Sequence, residues 1–217
     1  MGYRRSPDSA RVVFMTVKRV RVHGLTAENI PIAPDPGNTG GGSQMKTSST
    51  NTRVLAEMAV MVALATVLSV IKVFNFPQGG SITLGSMIPI LLVALRRGPK
   101  IGVMTGAVYG VVQLIIDGYV GIYNPISLLL DYPIAFGALG LAGFIQKQPF
   151  VGTCLGITGR FISHVISGYV FFGMYAPPGM NPLLYSIVYN MAYILPELVI
   201  CGFIISILPK QIINMYL

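Results

Sequence analysis

The sequence predicts an all-α integral membrane protein, a bundle of six transmembrane helices with both termini cytoplasmic. Three observations carry this. Of 217 residues, 53% are hydrophobic and only 10% are charged, against roughly 25% charged in an ordinary soluble domain. The mean hydropathy is +0.69 even with a polar N-terminal stretch included. The basic residues of the apolar part fall in alternate loops, the pattern that the positive-inside rule produces. Disorder of the whole chain is excluded, and a soluble enzyme is disfavoured.

Residues 1–52 differ from the rest. They hold seven of the fifteen Lys/Arg and three of the seven Asp/Glu. The apolar run at 12–17 is too short for the core of a signal peptide. Residues 31–43 are rich in Pro and Gly, a composition that favours flexibility. The segment reads as a poorly ordered extension ahead of a membrane domain at 53–217. In a second reading, translation starts at Met45, and Gly40, Gly41 and Gly42 are the translation of a purine-rich ribosome-binding site. The net charge of +8 suits an anionic partner. In so hydrophobic a chain that partner is the lipid bilayer. Lys18, Arg19 and Arg21 sit in no recognisable nucleic-acid module, so nucleic acid is not an expected partner.

Six spans of about 20 residues fit into 53–217. They fall near residues 53–73, 82–95, 100–117, 125–146, 150–175 and 182–208; the second is short and contains Pro89. Arg53, Arg96, Arg97, Lys100, Lys147 and Lys210 then lie on one side. Loops 74–81, 118–124 and 176–181, on the other side, have no Lys or Arg. The basic side is cytoplasmic, and an even span count puts both termini there. The protein is thus expected in the cell membrane as a multi-pass chain.

Small residues punctuate two spans. Ala59 and Ala63 form a small-xxx-small pair in the first, which lets another helix approach closely. That helix belongs either to this chain or to a partner. Gly102, Gly106 and Gly110 recur every fourth residue in the third span, as in a tight internal seam. Cys154 and Cys201 have no metal-ligand spacing and read as buried free thiols.

Ionisable and amide groups inside a span are costly, roughly 2.5–3.5 kcal/mol for a charge near the centre, and normally functional. At 1.5 Å per residue, Asp131 lies about 9 Å and Asn190 about 12 Å below the outer face. His164 and Gln113 lie about 20 Å above the inner face of a core about 30 Å thick. All four occupy the outer half. Tyr132 follows Asp131, Tyr185 begins the sixth span, and Phe172 lies two turns above His164 with Gly168 between them. A carboxylate, an imidazole, an amide and aromatic faces suit a flat cationic heterocycle. The alternative is a purely structural network that locks the bundle. Arg160 and Glu197 read as a buried ion pair, Asp117 as a solvated group at the outer end of its span, and Glu57 as meeting water or a partner at the inner end. No HExxH, GxSxG or Walker A sequence occurs, so no enzymatic role and no ATP use by this chain is expected. There is also no inverted repeat of the kind found in many stand-alone transporters.

The stretches LAEMAVMVALATVLS, SITLGSMIPILLVALRRGPKIG, YGVVQLIID, NPISLLLDYPIAFGALGLAG, GRFISHVISGYVFF, YAPPG and YSIVYNMAYILPE, in this order and spacing, resemble the thiamine-specific S-components of energy-coupling factor transporters, the ThiT/YuaJ family. The resemblance covers 53–217. It implies a six-helix substrate-binding subunit with a thiamine site near the outer face, working with a membrane coupling subunit and two ATP-binding subunits and holding no cofactor of its own. The family's acidic–aromatic pair matches Asp131 and Tyr132, with Asp131 where Glu is usual. Its span-five stripe matches His164, Gly168 and Phe172, with Phe172 where Trp is common. Its span-six Tyr and Asn match Tyr185 and Asn190, and a first-loop aromatic would be Phe74 or Phe76. By resemblance, Asp131 holds the aminopyrimidine or balances the thiazolium charge. Tyr132, Tyr185 and Asn190 hydrogen-bond the ligand, His164 and Phe172 flank its rings, and Gly168 leaves room. Ala59 and Ala63 would contact the coupling subunit. The same architecture bound to riboflavin or to a thiamine precursor such as hydroxymethylpyrimidine is the competing reading, and a membrane scaffold or enzyme is a more distant one.

The start-site reading is checked by the intact mass of the protein from its native source. A chain beginning at Met45 is expected, and a mass that includes residues 1–44 contradicts it.

Overall fold

The computed structural model describes residues 41–77, 79–121 and 123–213, and the membrane domain is the compact unit Met45–Leu217. The expectation for residues 1–40 lies outside the described residues. The first helix, α1, is Gly41–Val70, so residues 41–52 are helical and not part of an irregular extension. A hairpin comes next, with β1 (Lys72–Asn75) antiparallel to β2 (Ser81–Thr83). Then come α2 (Ile88–Arg97) and α3 (Pro99–Asp117). The composite helix α4 spans Pro125–Ile145, and α5 (Pro149–Phe171) and α6 (Pro182–Ile207) complete the bundle, with a final turn α7 at Lys210–Ile213.

Five of these helices are long and apolar enough to cross a membrane: residues 51–70 of α1, then α3, α4, α5 and α6. The span expected at 82–95 is different in kind. Ile82 and Thr83 belong to β2, and the helix after it has only ten residues, about 15 Å of rise. Gly79, Gly80 and Gly85 have φ of +91°, +83° and +80°, a backbone that turns instead of coiling. Pro89 stands in the first turn of α2, where its missing N–H is harmless, so it opens the helix and does not interrupt it. Ile90, Leu91, Val93, Ala94 and Leu95 are fully buried. This half-helix is wedged among α3, α4 and α5.

The glycine seam of α3 is real and has a counterpart. A Cβ on Gly106 would strike the Phe136 carbonyl, and one on Gly110 the Tyr132 carbonyl. From the other side, Gly140 of α4 would strike the backbone at Val103. With no side chains between them, the two helices touch backbone to backbone. Helix α4 is irregular where this happens. It is α-helical at Pro125–Leu129, π-helical at Leu130–Ile134 around Pro133, α-helical again at Ala135–Ala138 and 3₁₀ at Leu139–Ile145. Pro133 lacks the N–H that a regular helix would use, and the wide turn carries Asp131 and Tyr132.

Ala59 and Ala63 are exposed, on a face shared with Leu55 and Val60. Among the described residues nothing covers them, and Ala65 of the same helix is buried instead. Glu57 reaches Arg96 at 2.9 Å and Arg97 at 2.6 Å. It therefore ties α1 to the end of α2 and is not left to water. Cys201 is buried and Cys154 half-buried, both free.

Gly106→Ala is expected to lower stability in detergent by about 1–3 kcal/mol, the usual cost of overpacking. Chemical or thermal unfolding measures this, and a variant as stable as the parent would contradict the seam.

Candidate functional site

Helices α3, α4, α5 and α6, the hairpin and Ser69 of α1 line a cavity of about 280 Å³. Its walls are ladders of side chains at helical spacing. Helix α3 supplies Tyr109, Gln113 and Asp117; α5 supplies Arg160, His164, Gly168 and Phe172. Helix α6 supplies Tyr185, Tyr189, Tyr193 and Glu197, with Ser186 and Asn190 beside them. Asp131, Tyr132 and Phe136 come from the irregular part of α4. Twelve residues at 1.5 Å each make the α5 and α6 ladders about 18 Å tall. The mouth lies at the end of α3, the start of α4, the end of α5 and the start of α6. The floor lies at Arg160, Tyr109 and Glu197.

Asp131 is held at mid-height. Its Oδ2 accepts from Ser167 Oγ–H at 2.7 Å, and its Oδ1 lies 3.0 Å from His164 Nδ1. Arg160 Nε lies 3.2 Å from His164 Nε2, and an arginine Nε–H can only donate. Nε2 is therefore the acceptor and Nδ1 carries the proton it gives to Asp131. The result is a chain from guanidinium to imidazole to carboxylate. The guanidinium also lies 4.3 Å from the centre of the Phe136 ring. Arg160 makes no ion pair with Glu197, contrary to the sequence expectation; Glu197 instead accepts from the Thr83 backbone N–H at 2.5 Å and its hydroxyl at 2.7 Å.

Tyr132 turns away from Asp131. Its hydroxyl donates to Asp117 Oδ2 at 3.0 Å, while Asp117 Oδ1 accepts from Gln113 at 3.1 Å and Lys72 at 3.3 Å. Asp117 is thus not a solvated helix end but a hub in the cavity wall. Lys72, expected in the first span, sits on β1 as a basic residue at the mouth. Beside it, burial first and the Asp117 charge second push the Tyr119 hydroxyl above its ordinary range, so Tyr119 stays a neutral donor at physiological pH.

Two sequence-predicted site residues have structural work. Asn190 Nδ2 donates to the Ser186 carbonyl at 2.8 Å and the His164 carbonyl at 3.3 Å, and its Oδ1 accepts from Tyr193 at 2.5 Å. It fastens α6 to α5. At Gly168 a Cβ would collide with Ser186 Oγ, so the missing side chain makes room for α6. Phe172 lies at the mouth, 5.5 Å from Tyr123 and stacked 6.3 Å from Tyr175. Tyr185 stands at the rim, 5.8 Å from Tyr189. Of the two first-loop aromatics, Phe76 lines the cavity while Phe74 is 55% exposed. Phe76 packs 5.8 Å from Tyr189 and 5.7 Å from Tyr193.

Sequence reasoning missed Lys72, Tyr109, Tyr119, Tyr123, Ser167, Tyr189 and Tyr193. Two signals could have found several of them. One is the four-residue spacing from Tyr185 to Glu197, and the other is the position of Ser167 three residues after His164. Among the described residues no cluster of His, Cys, Asp and Glu could hold a metal ion.

The family described as "Thiamine transporter protein (Thia_YuaJ)" matches residues 55–217. The thiamine transporter ThiT of Bacillus subtilis (strain 168) is 36% identical over 176 residues, 71% of this chain and 88% of that protein. The thiamine transporter ThiT of Lacticaseibacillus paracasei is 31% identical over 179 residues, 72% of this chain and 89% of its own length. A solved structure of ThiT from Listeria monocytogenes superposes with a TM-score of 0.68 at 28% identity, covering 76% of this chain and 99% of that one. With the match extending over most of the chain, this protein belongs to the Thia_YuaJ family of thiamine transporter proteins.

Proposed function

We propose that this chain is the thiamine-binding membrane subunit of an energy-coupling factor importer and that the cavity is its ligand site. The observation that carries the reading is Asp131, a carboxylate gripped by His164 and Ser167 inside an aromatic-walled cavity. Such a fixed negative charge suits a cationic heterocycle, and aromatic faces attract the same charge. The names of the relatives support thiamine as that heterocycle. In this reading Phe172, Tyr185 and Phe76 face the ligand. His164, Asn190, Gly168 and Tyr132 act chiefly by positioning Asp131, helix α6 and Asp117.

The membrane topology is part of the same reading. The hairpin with α2 serves as one crossing, extended in its outer half and helical in its inner half, and makes six crossings with the five long spans. Both termini are then cytoplasmic. Arg97, Lys100 and Lys147 lie at or beside helix ends away from the cavity mouth, and Arg53 at the start of the apolar span of α1, which suits a mouth facing outward. The exposed Ala59 and Ala63 offer a smooth stripe to a membrane coupling subunit, which in turn works with two ATP-binding subunits. The ATP is theirs, and this chain needs no cofactor.

Asp131→Asn is expected to weaken thiamine binding at least tenfold, about 1.4 kcal/mol, while expression is retained. Calorimetric titration of the purified protein measures this, and unchanged affinity would remove Asp131 from the site. In a thermal-shift panel thiamine should stabilise the protein; a shift with riboflavin or hydroxymethylpyrimidine and none with thiamine would replace the proposed ligand. Ala59→Leu with Ala63→Leu should leave thiamine affinity unchanged but abolish uptake in cells carrying the coupling subunits. Normal uptake would exclude this stripe as the docking face.

A further inference from the structure

Helix α5 grips α4 at three points. His164 Nδ1 and Ser167 Oγ meet the two oxygens of Asp131 at 3.0 and 2.7 Å. The third point is Ser163, whose hydroxyl donates to the Leu130 carbonyl at 2.7 Å. Ser163 is 6% exposed, and it is not among the described residues that line the cavity. Its acceptor is the residue just before Asp131 and opens the π-helical turn Leu130–Ile134. In a regular helix the donor for the Leu129 carbonyl would be the N–H of residue 133, and Pro133 has none. A π-helical turn takes up an extra residue, and where it sits sets the direction of the side chains within it. A donor from another helix on this turn therefore does more than satisfy one oxygen.

Resting on the thiamine reading above, we infer that Ser163 is a positioning residue for ligand binding and acts through Asp131. The Leu130 carbonyl belongs to the same rigid peptide plane as the nitrogen and Cα of Asp131. Holding that oxygen fixes the plane from which the Asp131 side chain departs. Ser163, His164 and Ser167 stand at i, i+1 and i+4, on one side of α5. One helix thus fixes both the backbone that leads into Asp131 and the two oxygens at its tip. Helix α5 is held in turn by α6, where Ser186 Oγ donates to the Val165 carbonyl at 2.9 Å and Asn190 Nδ2 to the His164 carbonyl at 3.3 Å. Without the Ser163 hydroxyl the peptide plane is free to tilt. The carboxylate then cannot keep both of its own bonds and its direction into the cavity. A hydroxyl that only satisfied a carbonyl would matter for folding alone; Ser163 matters for where the negative charge sits.

The test is a double-mutant cycle on the full-length protein, with wild type, Ser163→Ala, Asp131→Asn and the double variant each titrated with thiamine. Ser163→Ala should weaken binding at least about fivefold in the wild-type background, the scale of one hydrogen bond, and less than about twofold beside Asp131→Asn, where no charge is left to aim. Equal losses in the two backgrounds mark a merely structural hydroxyl and overturn the assignment, as does unchanged affinity in Ser163→Ala. Should Ser163→Ala fail to fold, or Asp131→Asn bind too weakly to measure, Ser163→Thr and Ser163→Val decide. The two side chains are nearly equal in size, so crowding is common to both, and only Thr donates. Ser163→Thr should bind thiamine at least about fivefold tighter than Ser163→Val, and equal affinities overturn the assignment. A wild type that does not bind thiamine overturns the function reading and this one together. A wild type that binds it, with no coupling in the cycle, overturns the role of Ser163 alone.

Discussion

A carboxylate inside a membrane domain must be paired, and the fold is arranged around satisfying Asp131. The cost of an isolated charge there is several kcal/mol, so its two oxygens are met by two groups of one helix, His164 and Ser167. That requires α4 to present Asp131 sideways to α5, which the π-helical turn at Leu130–Ile134 does. It also requires α3 to lie close behind α4, which the glycines of both helices allow. The imidazole is fixed in turn by Arg160. The site and the bundle are thus stabilised by the same contacts: loosening the helix packing would free the carboxylate, and losing the carboxylate would leave His164 and Ser167 with buried, unmatched donors.

The hairpin gives the cavity its remaining wall. Phe76 sits between Tyr189 and Tyr193, the Gly79 carbonyl accepts from Tyr189 at 2.8 Å, and Lys72 bridges to Asp117 at 3.3 Å. These contacts tie an extended segment to α6 on one side and α3 on the other. Irregular backbone in a membrane is tolerated only where it is buried in protein or lines a cavity, and residues of this hairpin line the cavity. Helix α2, which follows the hairpin, buries Pro89, Ile90, Leu91, Val93, Ala94 and Leu95 and ends in the basic pair Arg96 and Arg97.

Much of this was legible in the sequence, for definable reasons. The spans at α3, α4, α5 and α6 are long apolar runs bounded by Pro, Gly or charge. Asp131, His164, Gln113 and Asn190 stood out because polar groups are rare in such runs. Their common depth followed from helical rise alone, and all four line one cavity or the wall behind it. What escaped was whatever depends on partners across the bundle. Asp117 reads as a helix end until Tyr132 and Lys72 are seen to converge on it. Glu197 and Arg160 look like a pair by depth, yet each is drawn to a different neighbour. The strand at Ile82 hid because an apolar run looks alike as a strand or as part of a buried helix. Ser167 looked like one more small residue in an apolar helix.

The account stands on the cavity holding a cationic vitamin, and the most direct measurement is the identity of what the protein carries. Protein purified in mild detergent from cells grown with thiamine, then denatured and analysed by mass spectrometry, should release thiamine at close to one molecule per chain, and Asp131→Asn should release far less. Release of a different vitamin by the same preparation, or equal thiamine from both proteins, would contradict it.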